Sequence, residues 1–276
     1  MNSPESLRRT GGTDRPLALG DRLYRLCKQV GHGLHARPVD RRHVFVAGVQ
    51  RSGTNLLMQV LDRVWDTDVY HETDSRAFDR YEMRPQPVIE ALMKRSRAPV
   101  FVLKSLCELQ DLEGLMKRHA PAKTLWMLRG YEEVTRSMLA SFGNFVRQAH
   151  RLAADKAGSD WRGRGMSDAT QEVLREAVED GLDEASAAAL MWYYRNVLFF
   201  EQGFANHPEV RVVRYESLLE DPQLECGHIA TFLELPLSQR AVAAIAPRTA
   251  VSSGGVPVSP LVRRHCDALM RRFAVL

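Results

Sequence analysis

The chain is poor in lysine. Only six of its 38 cationic residues are Lys (positions 28, 94, 104, 117, 123 and 156); the other 32 are Arg. Lys is a compact point charge and Arg a planar fork, so the few lysines are worth locating. The net charge is +4 over 276 residues. That surplus suits one polyanionic small ligand. The dense basic stripe of a nucleic-acid-binding protein is missing, so no nucleic-acid partner is expected. Cysteine is also scarce: Cys27, Cys107, Cys226 and Cys266 include no CxxC pair. The spacing argues against a zinc site, and the chain is too long for these to form a disulfide framework. No apolar run reaches the roughly 18 residues of a membrane span. The first twenty residues lack the apolar core of a secretory signal, and Glu5, Asp14 and Asp21 disfavour an Arg-rich transit peptide. These absences predict a soluble, cytoplasmic protein with no transmembrane segment. A homodimer stays open.

What is present is ordinary globular material, 45% hydrophobic and 26% charged. Residues 1–20 read as a flexible tail and 21–276 as a single α/β domain. Leu23, Leu26, Cys27, Val30 and Leu34 recur at helical spacing and predict a short amphipathic helix, packed on the domain in preference to a membrane surface. Five short apolar runs then read as buried strands: Val44–Val49, Val69–His71, Val100–Leu103, Thr124–Leu128 and Val210–Tyr215. Amphipathic stretches lie between them. Continuous apolar strands alternating with such helices predict a three-layer fold around a parallel sheet of about five strands. The rhythm breaks across 143–183, an insertion expected to form a lid or acceptor-side wall. Trp192-Tyr-Tyr-Arg-Asn196 reads as core.

The most informative stretch is Ala47-Gly-Val-Gln-Arg-Ser-Gly-Thr-Asn-Leu-Leu57. It leaves a strand, turns, and enters a helix. That geometry aims several N–H groups at one point with the helix dipole behind them. Gly53 lets the backbone approach a ligand, Ser52, Thr54 and Asn55 add hydroxyl and amide hydrogen-bond donors, and Arg51 adds a fork suited to phosphate or sulfate. Gly48 and Gly53 match the two glycines of the nucleotide P-loop, G-x-x-x-x-G-K-[ST], so a P-loop nucleotide-hydrolase-like fold is expected. Thr54 and Asn55 stand where its Lys and Ser/Thr belong. The Lys for the β/γ-phosphates and the hydroxyl for Mg²⁺ are thus missing. A phosphate-bearing ligand without a metal requirement fits better than metal–ATP.

At these residues the chain resembles the sulfotransferases that use 3′-phosphoadenosine 5′-phosphosulfate (PAPS). Arg51-Ser-Gly-Thr-Asn55 is similar to their 5′-phosphosulfate loop, in the Arg-Ser-Gly-Thr form of the carbohydrate and tyrosyl-protein members. The resemblance implies that Arg51, Ser52, Gly53, Thr54, Asn55 and Leu56 bind the donor. It implies a 3′-phosphate clamp from Arg129, which follows the strand Thr124–Leu128, and Ser137, eight residues later. The family often has Arg-Asp-Pro-Arg where this chain has Arg129-Gly-Tyr-Glu132. Val213-Arg-Tyr-Glu-Ser-Leu218 with Asp221-Pro222 is similar to a family stretch that would bring Tyr215 near the nucleotide. Ser253, in the Ser/Gly loop before a helix starting at Pro260, sits where the family closes a loop on it.

The catalytic residues implied are Arg51, Lys104, Glu72 and His71. Arg51 and Lys104 would steady the leaving group. In Lys104-Ser105-Leu106, Leu106 holds the place of the histidine base of cytosolic members. Val69-Tyr-His-Glu-Thr73 offers a substitute, with Glu72 first choice for the base and His71 second; a Glu would need burial or a lid to serve. The reaction implied is metal-free transfer of a sulfuryl group to a hydroxyl or amine of a small-molecule, sugar or glycolipid acceptor, releasing 3′,5′-adenosine bisphosphate (PAP). A kinase-like enzyme with a degenerate P-loop and a non-catalytic nucleotide-binding protein are the alternatives.

Overall fold

The computed structural model describes residues 19–34, 40–158, 160–246 and 255–276. Most of the expected tail, residues 1–18, lies outside the described residues, as does Ser253. In chain order the strands are β1 (Arg42–Gly48), β2 (Thr67–Tyr70), β3 (Phe78–Asp79), β4 (Glu82–Met83), β5 (Val100–Ser105), β6 (Ala122–Leu128) and β7 (Val210–Arg214). Five of them form an all-parallel sheet in the order β2-β5-β1-β6-β7, and β3 and β4 make a separate antiparallel ladder. The alternation of strands and helices is therefore as the apolar pattern predicts.

Alternation along the strands divides the core in two, because successive side chains point to opposite faces. Val44, Val46, Val100, Val102, Leu125, Met127 and Val213 face one layer. Against them lie α2 (Thr54–Asp62), α9 (Tyr215–Glu220), α10 (Pro222–Leu233) and α11 (Gln239–Val242). Phe45, Ala47, Phe101, Leu103, Trp126 and Leu128 face the other. That layer holds α3 (Gln86–Arg95), α4 (Leu112–Arg118), α5 (Tyr131–Leu139), α6 (Phe145–Ala154), α7 (Asp168–Glu179), α8 (Glu184–Glu201) and α12 (Pro260–Ala274). Polar caps start several of these helices. Asp183 accepts from Ser186 N–H at 2.6 Å and Ser167 from Thr170 N–H at 3.1 Å.

The 143–183 insertion folds as α6 and α7 packed with α8. Its connecting loop is tied down by Arg195, whose Nη1 donates to Trp161 O at 3.2 Å. Two expectations are corrected. Tyr215 is not a strand residue; it opens α9, and Glu216 in that first turn accepts Gly130 N–H at 3.0 Å. The N-terminal helix exists, as α1 (Leu19–Leu34), but it does not pack by its apolar side. Tyr24, Lys28 and His32 face the domain, and Leu23, Leu26, Val30 and Leu34 are exposed. The reason is that backbone carbonyls left at the end of α2 need donors, and Lys28 supplies them: its ammonium meets Asp62 O and Thr67 Oγ1, both at 2.9 Å.

The core also carries a buried polar tie. Trp126 Nε1 donates to Asn196 Oδ1 at 3.1 Å, and both residues are wholly inaccessible. Asn196→Ala leaves the indole N–H unpaired and opens a void. It is expected to destabilise the domain by about 2–3 kcal/mol, read as a lower denaturant midpoint at unchanged slope. A loss below about 0.5 kcal/mol would show that the pair is energetically idle.

Candidate functional site

Register positions the site. Ala47 of β1 pairs with Ser105 of β5 on one side and Trp126 of β6 on the other. Leu128 of β6 in turn pairs with Arg214 of β7. The carboxyl ends of four strands are therefore level. The loop after β1, Lys104 of β5, Arg129 after β6 and Tyr215 after β7 share one edge of the sheet. In an open parallel sheet the crevice flanking such a central strand is where ligands bind.

The loop is shaped by its glycines. Gly48 has φ of +138°, and a Cβ there would sit 2.5 Å from Met127 O. Gly53 has φ of +97°, and a Cβ would sit 2.3 Å from Cδ2 of Tyr215. Glycine at position 53 thus lets the Tyr215 ring lie against the turn. Arg51 itself is left-handed, with φ of +72°, a strained conformation that functional turns often hold. Helix α2 starts at Gly53 with no side-chain cap, so its first amides point out of the helix toward the crevice. Leu56 offers no open amide, because its N–H donates to Gly53 O at 2.9 Å. Ser52 is fully buried and its Oγ has no hydrogen-bond partner.

The expected second anion site joins the first. Arg51 Nε donates to Ser137 Oγ at 2.9 Å. Arg129 Nη1 donates to Arg51 O at 3.3 Å, and its guanidinium carbon lies 4.4 Å from the Tyr215 ring centroid. Ser137 is thus joined to Arg51 and Tyr215 to Arg129, and the four residues form one cluster. Arg129 Nε is buried without a partner. Trp192 fixes the backbone at Arg129, its Nε1 donating to Arg129 O at 2.9 Å. The Trp192-Asn196 stretch is therefore core that also positions the site.

On the other side of β1 stands Lys104, 1% exposed. Its ammonium pairs with the Glu72 carboxylate and donates to Asn55 Oδ1. The sequence brought Glu72 forward as a carboxylate in need of burial; the fold gives it a cation. Asn55, expected as a donor, accepts here. His71, beside Glu72, has a buried Nε2 with no hydrogen-bond partner. Burial is the main cause that holds His71 below the usual imidazole range, partly offset by Asp62 and reinforced by Lys104. Among the described residues, no group of three or more His, Cys, Asp or Glu is placed to hold a metal ion, and no helix is long and apolar enough to cross a membrane.

Residues 41–253 match the family model described as the sulfotransferase domain. The chain belongs to the sulfotransferase family. No curated protein matches it in sequence. Among solved structures it is similar to the sulfotransferase domain from the curacin biosynthetic pathway, at 14% identity over 85% of this chain and 99% of that one, with a TM-score of 0.49. It is also similar to a sulfotransferase from Alicyclobacillus acidocaldarius, at 16% identity over 87% of this chain and 94% of that one, with a TM-score of 0.47. Mouse sulfotransferase SULT7A1 complexed with PAP is 16% identical over 84% of each chain, with a TM-score of 0.43.

In this sulfotransferase one carboxyl near the site went unnoticed in the sequence. Glu108 follows β5 by three residues, beyond Leu106. Its Oε1 accepts Met83 N–H at 2.6 Å, and its Oε2 is buried without a partner. Burial pushes its carboxyl up to about 7, against the opposing Met83 hydrogen bond. Burial, then Glu108, and more weakly Glu82 and Glu72, push the neighbouring Cys107 thiol up to about 12. Nothing marks Glu108 in the sequence, because its burial depends on the β3–β4 ladder and on fully buried Arg195, whose Nη2 donates to Leu106 O at 3.1 Å.

A carboxyl that holds its proton more tightly when folded stabilises the fold fully below its unfolded range, and that contribution fades as pH rises through about 7. The wild-type protein is expected to lose up to about 3 kcal/mol from this group between about pH 5 and pH 8. His71 acts in the opposite direction, since a depressed imidazole destabilises on acidification below its unfolded range. The test is therefore the difference between wild type and Glu108→Gln in denaturant titrations across that window. The variant should show the stability that rises more, or falls less, with pH; parallel curves would overturn the assignment.

Proposed function

We propose that this sulfotransferase takes its sulfuryl group from PAPS and transfers it, without a metal, to a hydroxyl or amine of a small-molecule, sugar or glycolipid acceptor. The observation that carries the reading is the single cluster of Arg51, Ser137 and Arg129 beside the uncapped start of α2, with Ser52 Oγ and Arg129 Nε buried and unpartnered. Two buried polar atoms without partners are costly unless something accepts from or donates to them. A ligand with two separated anionic groups suits this pair, and so does the positive end of a helix.

The residues present fit that donor. Bound PAPS supplies an activated sulfuryl group on a phosphate leaving group. Arg51, Ser52 and the first amides of α2 bind the 5′ end, with Gly53 and Thr54 shaping the turn. Arg129 and Ser137 hold the 3′-phosphate, and Tyr215, against which Arg129 rests, orients the nucleotide. Lys104 is the cation placed to balance charge as the sulfuryl group departs, and pairing with Glu72 and Asn55 keeps its ammonium positioned. Glu72 is the carboxylate that takes the acceptor proton, with His71 next to it.

The insertion supplies the acceptor side. Gly165 lies against Gln110 and Arg164 pairs with Glu82 at 2.9 Å, so the 143–183 segment covers the loop that follows β5. We assign it the role of acceptor wall within one domain spanning 21–276. Ser253 keeps its place as a nucleotide contact in this reading. Four unpaired thiols suit a reducing cytoplasmic setting.

Calorimetric titration with PAP in the absence of metal tests the donor. Wild type should bind, and Arg129→Ala should bind at least about tenfold more weakly, equivalent to about 1.4 kcal/mol. Binding of ATP only with Mg²⁺, and none of PAP, would sink the reading in favour of a kinase-like enzyme. The base is tested by turnover with a hydroxyl acceptor. Glu72→Gln should lower kcat by about a hundredfold or more while PAP affinity stays within about twofold. An unchanged kcat would move the base to His71.

A further inference from the structure

Helix α1 is built inside out. A helix on a globular domain ordinarily buries its apolar stripe. Here the buried face is polar: Tyr24 Oη donates to Arg63 O at 3.1 Å, Lys28 reaches Asp62 O, and the His32 ring lies 2.8 Å from Trp65 O. Gly31 sits so close to Trp65 that a Cβ would lie 2.5 Å from its ring. The apolar face is left outside. Leu23, Leu26, Val30 and Leu34 are 55%, 57%, 56% and 83% exposed, and Cys27 is exposed between them. Trp65, 40% exposed, lies under the same helix.

Charge says what meets this face. At the start of α1 the exposed Arg240 donates to Gly20 O at 2.9 Å and rests its guanidinium 4.3 Å from the Tyr24 ring centroid, and at its end the exposed Arg97 donates to Gly33 O. Residues 1–42 contain nine Lys and Arg against four Asp and Glu, while the remaining residues contain 29 against 30. The excess of positive charge therefore lies in the first 42 residues, within which α1 carries the apolar stripe; of the cations on α1 itself, Lys28 is buried and Arg25 pairs with Asp62. An apolar stripe on a helix of low overall hydropathy, bracketed by arginines, is the signature of a helix lying in a lipid interface.

We propose that α1 is an interfacial anchor that seats this sulfotransferase on an anionic lipid bilayer. The leucine and valine side chains enter the headgroup boundary, and the flanking arginines meet lipid phosphates. A second copy of the chain would offer the same basic segment to itself, which is why the lipid surface is the better complement. The anchor also orients the enzyme. Helix α1 is bonded to the end of α2 and the start of β2, whereas the crevice lies at the start of α2, nine residues or about 13 Å away. The site then opens away from the bilayer.

Cys27 provides the probe, because the other three thiols are buried. Full-length protein carrying an environment-sensitive dye on Cys27 is titrated with vesicles of phosphatidylglycerol and phosphatidylcholine, or of phosphatidylcholine alone. Unlabelled protein is sedimented with both. Binding to the anionic vesicles with blue-shifted emission is expected. It should fall at least about tenfold in the double variant Leu26→Asp with Val30→Asp, and several-fold in Arg97→Glu with Arg240→Glu or at about 0.5 M salt. No binding, or equal binding to uncharged vesicles, overturns the proposal. So does self-association that the aspartate variant abolishes without any vesicle binding, since a second copy would then cover the stripe. A lowered Tm of the aspartate variant without vesicle binding would show that the chain's own segment covers the stripe, and it would overturn the proposal equally.

Discussion

The level ends of β6, β1 and β5 set where every cation of the site can stand. Arg129 begins where β6 stops, the Arg51 turn begins where β1 stops, and Lys104 sits one residue from the end of β5. Their spacing follows from backbone register rather than from side-chain reach. Register in turn follows from burial: these strands are apolar on both faces, and a one-residue slip would exchange the two layers of core side chains. Trp192 couples the core to the site directly through Arg129 O. A substitution deep in α8 can therefore shift the backbone at Arg129 without touching the crevice itself.

Charge is sorted across the crevice. Arg51 and Arg129 gather with Ser137 and Tyr215 on the β6 side. Glu72 and Glu108 lie on the β2–β5 side, with buried Lys104 between the two groups. A buried ion pair adds little net stability, because desolvation offsets attraction, but breaking it leaves an uncompensated charge. The Lys104–Glu72 pair is better understood as positioning. It holds the Lys104 ammonium and the Glu72 carboxylate together at the edge of the sheet, where the proposed sulfuryl transfer would develop charge and move a proton. Burial holds the Glu108 carboxyl above the range of an exposed glutamate.

Helix α1 follows a different logic from the rest of the fold. Elsewhere apolar surface goes into the core. In α1 the attachment to the domain is made by hydrogen bonds to carbonyls at the end of α2, and burial pulls Lys28 down to about 8. Lys28 thus carries a desolvation cost that a leucine at the same place would not. The exposed leucines and the basic composition of the first 42 residues together suit a surface that is both apolar and anionic.

Read in one dimension, the chain already specifies the five strands, the turn from β1 into α2, the missing P-loop Lys and the sulfotransferase family. Each rests on local signals: apolar runs, glycine placement and a short contiguous motif. The sequence also singles out Arg51, Lys104, Glu72, Arg129, Ser137 and Tyr215 as candidates, though not how they pair. Folding in three dimensions decided that Ser137 meets Arg51, that Glu72 meets Lys104, that Tyr215 opens a helix, that Glu108 is buried, and that α1 turns its apolar side outward. These pairings join residues tens of positions apart, or depend on which carbonyls and side chains neighbouring elements leave unsatisfied. Periodicity shows that a helix has two faces; only the surface it meets decides which one is buried.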